Sequence, residues 1–269
     1  MRSITLPGTS LTVSRFVFGT GSLHHLGNLA EQVAHLPAAA DEGFSHFDTA
    51  PLYGFGQAEE AIGNAFDRNA PPMITVTTKV GLYPPHGSTQ SRIEILGRKA
   101  MGKVLPSLSR PQANWAVARA RQSLDESLGR LRREHVDLLL LHEPNQELVQ
   151  TDEWMAWLEQ EQGSRISHFG ICGEIARLAP FLETGSGLAQ LVQAPDSIAG
   201  KEADRLVRDG RFPQLTYSYL SASKRGEGPE TVLRGALARN PTGAVVVSTR
   251  TRSRLPGFAE LADEERRQQ

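Results

Sequence analysis

At 269 residues the chain has room for one α/β barrel or for two smaller domains. Its formal net charge of −1 excludes the broad basic field expected of a protein that binds nucleic acid or an anionic membrane. The single cysteine, Cys172, excludes an internal disulfide and suits a reducing compartment. The opening residues, MRSITLPGTSLTVSRF, lack the apolar core of a signal peptide, and no apolar run approaches the roughly 18 residues of a membrane helix. A soluble, cytoplasmic protein is expected.

In chain order, Ser3–Ser14 has the pattern of a small hairpin: Ile4 and Leu6 alternate before Pro7-Gly8, and Leu11 and Val13 alternate after it. Phe16–Gly19 is a short apolar strand. Asn28 with Glu31 forms a candidate capping box for a helix reaching about Asp41, where Pro37 predicts a kink or early break. A strand over Phe44–Asp48 follows, then a helix over Gln57–Arg68 with Ala61, Ile62, Ala65 and Phe66 on one face. Met73–Lys79 is a β-branched strand, and Trp115–Leu131 an amphipathic helix with Leu124, Leu128 and Leu131 at helical spacing. Val136–Leu141 is a strand with almost no polar face, the mark of a buried parallel strand.

The alternation continues. Helices are expected at Glu153–Gln162, at Glu174–Glu183 (shortened by Pro180), at Ser197–Asp209, at Pro229–Arg239 and at Phe258–Arg267. Strands are expected at Arg165–Ile171, Ala189–Gln193, Gln214–Leu220 and Ala244–Ser248. Eight strand-then-helix units follow the hairpin, which predicts an α/β fold with a closed (β/α)₈ TIM barrel. An open doubly wound sheet is the rival, and no G-x-G-x-x-G after the first strand supports it. With no internal boundary, residues 1–269 are expected to be a single domain. Val80–Asn114 is far longer than ordinary βα connections of roughly 2–6 residues. It is either a lid over the active-site face, with a short helix near Ile93–Lys103, or an unstructured surface insertion.

Active sites of such barrels lie at the C-terminal ends of the strands. Asp48 and Tyr53 follow the second barrel strand, Lys79 ends the third and His142 ends the fourth. Each has a plain alternative: Asp48 as a helix cap, Tyr53 as a half-buried turn residue, Lys79 as a strand-end surface residue, His142 as a satisfied core histidine. Their convergence on one face favours chemistry. No His/Cys cluster offers a metal site.

FDTAPLYG, TTKVG and VDLLLLHEP, in that order, resemble the aldo-keto reductase superfamily over nearly the whole chain. The resemblance implies that the N-terminal hairpin closes the barrel bottom. It also implies that Asp48, Tyr53, Lys79 and His142 form a catalytic tetrad. Tyr53 would be the proton donor, and the nearby Lys79 ammonium would favour its phenolate and make it a better donor. Asp48 would hold Lys79, and His142 would orient the substrate. The implied cofactor is NADP(H), with NAD(H) as the alternative. Gly21 and Ser22 would lie at the nicotinamide riboside, with Asp48 also at the cofactor. Gln193 would meet the carboxamide, and Tyr217 would stack on the ring. Ser218 and Leu220 would serve the pyrophosphate side. Ser248, Thr249, Arg250 and Arg254, with Arg252 between, would hold the adenosine phosphate, since arginine grips phosphate bidentately.

Leu23, Phe55 and Trp115 are the expected substrate-pocket walls. The implied activity is reduction of a small aldehyde or ketone, or oxidation of an alcohol or sugar in reverse. The alternative is a cofactor-sensing regulatory protein like the β-subunits of voltage-gated potassium channels. Two departures stand out. Cys172-Gly173 replaces the Ser-Asn pair that the family commonly places at the carboxamide, and Phe258 replaces an Asn that usually contacts adenine. Cys172 is expected to be a small buried residue.

Overall fold

A computed structural model of the chain describes residues 1–66, 74–85, 111–207, 212–223 and 226–268. The N-terminal hairpin pairs β1 (Ser3–Thr5) antiparallel with β2 (Thr12–Ser14), as the alternation around Pro7-Gly8 predicts. Eight parallel strands then close a barrel. In chain order they are β3 (Phe16–Gly19), β4 (His46–Asp48), β5 (Thr75–Val80), β8 (Val136–His142), β9 (Ile166–Cys172), β10 (Val192–Pro195), β11 (Leu215–Tyr217) and β12 (Ala244–Val247). Closure is made by β12 pairing with β3, with Val245 opposite Phe16. A separate two-stranded ribbon, β6 (Leu82–Tyr83) with β7 (Gln112–Ala113), frames the long βα connection. The remainder of that connection, with the expected helix at 93–103, lies outside the described residues.

The VDLLLL run explains the layering. Leu138 and Leu140 point into the barrel, and Leu139 and Leu141 face the helices, following the two-residue period of a strand. The inner cluster also contains Val17, Leu191, Leu215 and Ala244, and the hairpin residues Leu6, Leu11 and Val13 pack against it from one end. The hairpin therefore seals the end of the barrel opposite the strands' C-termini. The outer cluster joins the strands to α1 (Leu29–Asp41), α2 (Gln57–Ala65), α3 (Val117–Leu131), α4 (Thr151–Glu161), α5 (Ile175–Glu183), α6 (Pro229–Arg239) and α7 (Leu255–Gln268).

Several expectations shift in detail. The Asn28 side chain caps α1 by accepting the Glu31 N–H at 3.1 Å, and Pro37 does not end the helix, which continues to Asp41. Pro180 likewise leaves α5 intact to Glu183. The strand expected from Ala189 begins at Val192, because Gly187–Ala189 forms a 3₁₀ turn capped by Ser186. The expected polar helix at 197–209 is only a 3₁₀ turn, Glu202–Leu206, among its described residues. Ser197 Oγ accepts the Gly200 N–H at 2.9 Å, and Lys201 is left-handed at φ 50°, so the chain is bent before a helix can start. No helix among the described residues is long and apolar enough to cross a membrane.

Candidate active site

Strand register builds the site. Gly19 lies opposite Asp48, His142 opposite Cys172, Cys172 opposite Gln193, and Pro195 opposite Tyr217. These residues, with Lys79 near the end of β5, ring the C-terminal mouth. Tyr53 is not on a strand. It opens the 3₁₀ turn Tyr53–Gly56, with its N–H donating to the Ala50 carbonyl at 3.0 Å. Gly54 makes that turn possible: its φ is +61°, and a Cβ there would meet the His24 Cβ at 2.7 Å.

The four candidate residues meet. Lys79 Nζ donates to Asp48 Oδ1 at 2.7 Å, to the Thr49 carbonyl at 3.0 Å and to Tyr53 Oη at 3.2 Å. All three ammonium hydrogens are thereby used. Asp48 Oδ2 accepts from Gln193 Nε2 at 3.0 Å, so the carboxylate is bound on both oxygens. The His142 ring stands edge-on to Tyr53, with centroids 6.1 Å apart and planes at 89°. Lys79 and Asp48 are 1% and 3% exposed, so this ion pair is desolvated and depends on its partners.

Burial works against the Lys79 charge, but Asp48 and Tyr53 outweigh it and the lysine pKa is raised. Burial, followed by the Lys79 charge, pushes His142 down to about 3. For Tyr53 the balance differs from the sequence expectation. Burial is the largest influence and pushes the phenol up to about 12, although Lys79 pulls the other way. The pocket at neutral pH thus holds a protonated phenol, an ammonium and a neutral imidazole. Because Lys79 donates to Tyr53 Oη, the phenol's own proton is left for a ligand. The ammonium stands ready to stabilise the phenolate once that proton leaves.

A cavity of about 430 Å³ opens over this set, lined by Gly21, Ser22, Asp48, Tyr53, His142, Gln193, Tyr217, Ser218 and Ser248 among others. Ser248 is shared with a neighbouring cavity of about 320 Å³ that also contains Leu220, Thr249 and Arg254. The two form a trough from the tetrad to the start of α7. Most of the residues expected at a cofactor line it. Arg250 does not: with Arg252 it lines a groove against α1, beside Asn28, Glu31 and His35. Phe258 borders the second cavity but stacks edge-on against Phe16 and Phe44 in the core, at 5.5 and 5.7 Å.

Leu23 and Trp115 are buried in the outer hydrophobic cluster, and neither they nor Phe55 line this cavity. Cys172 is buried at the cavity edge, and burial raises its thiol pKa strongly, which disfavours the reactive thiolate. Two carboxylates, Glu143 and Glu174, also line the cavity, and sequence reasoning missed both. The signal for Glu143 was its place directly after His142.

Residues 15–188 match the model of the aldo/keto reductase family. The chain belongs to this family. It is 28% identical over 153 residues to a pyridoxal 4-dehydrogenase from Microbacterium luteolum, covering 50% of this chain and 41% of that protein. It is 32% identical over 116 residues to a D-threo-aldose 1-dehydrogenase from a Pseudomonas species, covering 42% of this chain and 34% of that protein. The chain thus spans less than half the length of either curated relative. A glycerol dehydrogenase structure from Gluconobacter oxydans shares the fold, with TM-score 0.71 at 20% identity over 99% of this chain and 93% of that one. Aldo/keto reductases generally draw on a nicotinamide dinucleotide, so the trough is the place to test for one.

Proposed function

We propose that this chain is an NADP(H)-dependent oxidoreductase that interconverts a small aldehyde or ketone with its alcohol, and that residues 1–269 act as one barrel unit. The observation that carries this reading is the hydrogen-bonded line from Asp48 through Lys79 to Tyr53, ending in a phenol with a transferable proton. The trough suits the cofactor on two counts. Gln193 Oε1 is buried and without a partner, while its Nε2 is committed to Asp48, so a carbonyl oxygen is held ready for an amide N–H. At the other end, Arg254 with Ser248 and Thr249 offers a phosphate grip, which supports NADP(H) over NAD(H).

The cofactor, when bound, supplies or takes up the hydride. The protein manages the proton. Tyr53 donates to the developing alkoxide in reduction, and Lys79 at 3.2 Å stabilises the phenolate left behind. Asp48 fixes the ammonium. His142, neutral, positions the carbonyl oxygen beside the phenol. In oxidation the same groups run in reverse, with Tyr53 as base.

The test is a spectrophotometric screen of NADPH consumption and NADP⁺ reduction against aldehydes, ketones, alcohols and sugars, with Tyr53→Phe as control. Tyr53→Phe should lower kcat by about 10²–10⁴-fold, the range for loss of a positioned acid. Cofactor affinity should stay within about twofold, because only the phenol hydroxyl is removed. Retained turnover would reassign the proton donor. Cofactor binding with no turnover on any substrate would favour a cofactor-sensing role.

A further inference from the structure

β8 ends at His142, and the next residue turns sharply: Glu143 is left-handed at φ 56°, uncommon for a residue other than glycine. The turn is held at both ends of the residue. Its N–H donates to the Cys172 carbonyl at 2.6 Å. Its carboxylate accepts the Glu174 N–H, at 3.1 and 3.0 Å from the two oxygens. The carboxylate occupies space that a side chain at position 173 would otherwise fill, since a Cβ on Gly173 would lie 2.6 Å from Glu143 Oε2. Gly173 in turn donates its N–H to the Gln193 carbonyl at 3.2 Å. Glu143 and Gly173, just past the ends of β8 and β9, therefore stand beside Gln193 in β10, with Glu143 and Gln193 lining one cavity.

This arrangement offers two acceptors and a charge. Gln193 Oε1 is buried without a partner. Among the described residues Glu143 makes no ion pair, and its charged surroundings are Glu174 and Arg177, both on the exposed side. The Lys79 charge is already committed to Asp48. Because both acceptors line the same cavity, a ligand group with two N–H donors could address them together, and a positive charge beside the carboxylate would be favoured.

We propose that Glu143 is the residue that reads the redox state of the nicotinamide: with Gln193 it accepts the carboxamide N–H bonds, and its carboxylate favours the positively charged oxidised ring over the neutral reduced one. The inference rests on the nicotinamide reading above and adds a direction to it. A carboxylate that stabilises the oxidised ring makes the bound reduced ring a stronger hydride donor, so on the protein the balance is shifted toward carbonyl reduction.

The experiment is a fluorescence titration of NADP⁺ and NADPH, with NAD⁺ and NADH in parallel, into wild type, Glu143→Gln and Glu143→Asp, all checked for an unchanged melting profile. Glu143→Gln keeps the size and removes the charge. It should weaken NADP⁺ by about tenfold and NADPH by no more than about threefold, because only the oxidised ring carries the charge that the carboxylate attracts. Glu143→Asp should retain part of the preference for the oxidised form. An equal loss for both redox forms, or no loss, would overturn the proposal while leaving the nicotinamide reading standing. Failure of wild type to bind any of the four dinucleotides at millimolar concentration would overturn both.

Discussion

Lys79 is the residue on which the site turns. Its ammonium sits between a carboxylate at 2.7 Å and a phenol at 3.2 Å, almost wholly out of water. Removing one partner of a buried pair leaves the other charge uncompensated. Lys79→Met should therefore cost about 3–5 kcal/mol of stability by urea denaturation. Adding Asp48→Asn should recover part of it, since the stranded carboxylate is then gone. No recovery would mean that Lys79 acts on stability through packing of its stem. At this scale the sequence was informative about identity and less so about state. Asp48, Tyr53, Lys79 and His142 were legible because each follows a strand-like run. That Tyr53 is pushed up to about 12 was not, because desolvation depends on neighbours distant in the chain. Glu143 was missed for a related reason: nothing local says that the space at Gly173 receives its carboxylate.

At the scale of elements, α2 shows how the site is anchored from behind. Glu59, fully buried on this helix, accepts Thr78 Oγ1 at 2.6 Å and Arg130 Nε at 2.7 Å. It thereby ties α2 to β5, one residue before Lys79, and to the end of α3. Glu59→Ala should destabilise by about 3–5 kcal/mol, because Arg130 loses its buried counter-charge and Thr78 its acceptor. Denaturant midpoints measure this, and a loss under about 1 kcal/mol would show that the network contributes little. Helices with a clear apolar stripe, such as α3, were legible along most of their length. The segment around Glu202–Leu206 was not, because Ser197 and the left-handed Lys201 divert the backbone by local hydrogen bonding that a polar composition does not reveal.

At the scale of the whole molecule, acid should weaken the fold through His46. This imidazole is fully buried between Thr75 Oγ1 and Thr77 Oγ1, each at 2.7 Å, and burial followed by the Lys79 charge lowers its pKa from 6.5 to about 3. Between those values the unfolded chain takes up a proton that the folded one refuses. The stability contribution is complete above pH 6.5 and is lost as pH falls toward 3. Urea midpoints measured from pH 7 downward should decline, and His46→Gln should flatten the decline. An unchanged slope in that variant would place the acid sensitivity elsewhere, His142 being the next candidate.

The sequence by itself determined the alternation of strands and helices, the count of eight barrel strands, the hairpin before them and which polar residues sit at strand ends. These follow from periodicity and turn chemistry, which act over a few residues. Only the tertiary structure decided that β12 closes onto β3, that Arg254 faces the trough while Arg250 faces α1, and that Glu143 stands beside Gln193. Those outcomes depend on barrel closure and on the water excluded by it. Closure brings together groups far apart in the chain, and the lost water sets how strongly their charges act on one another.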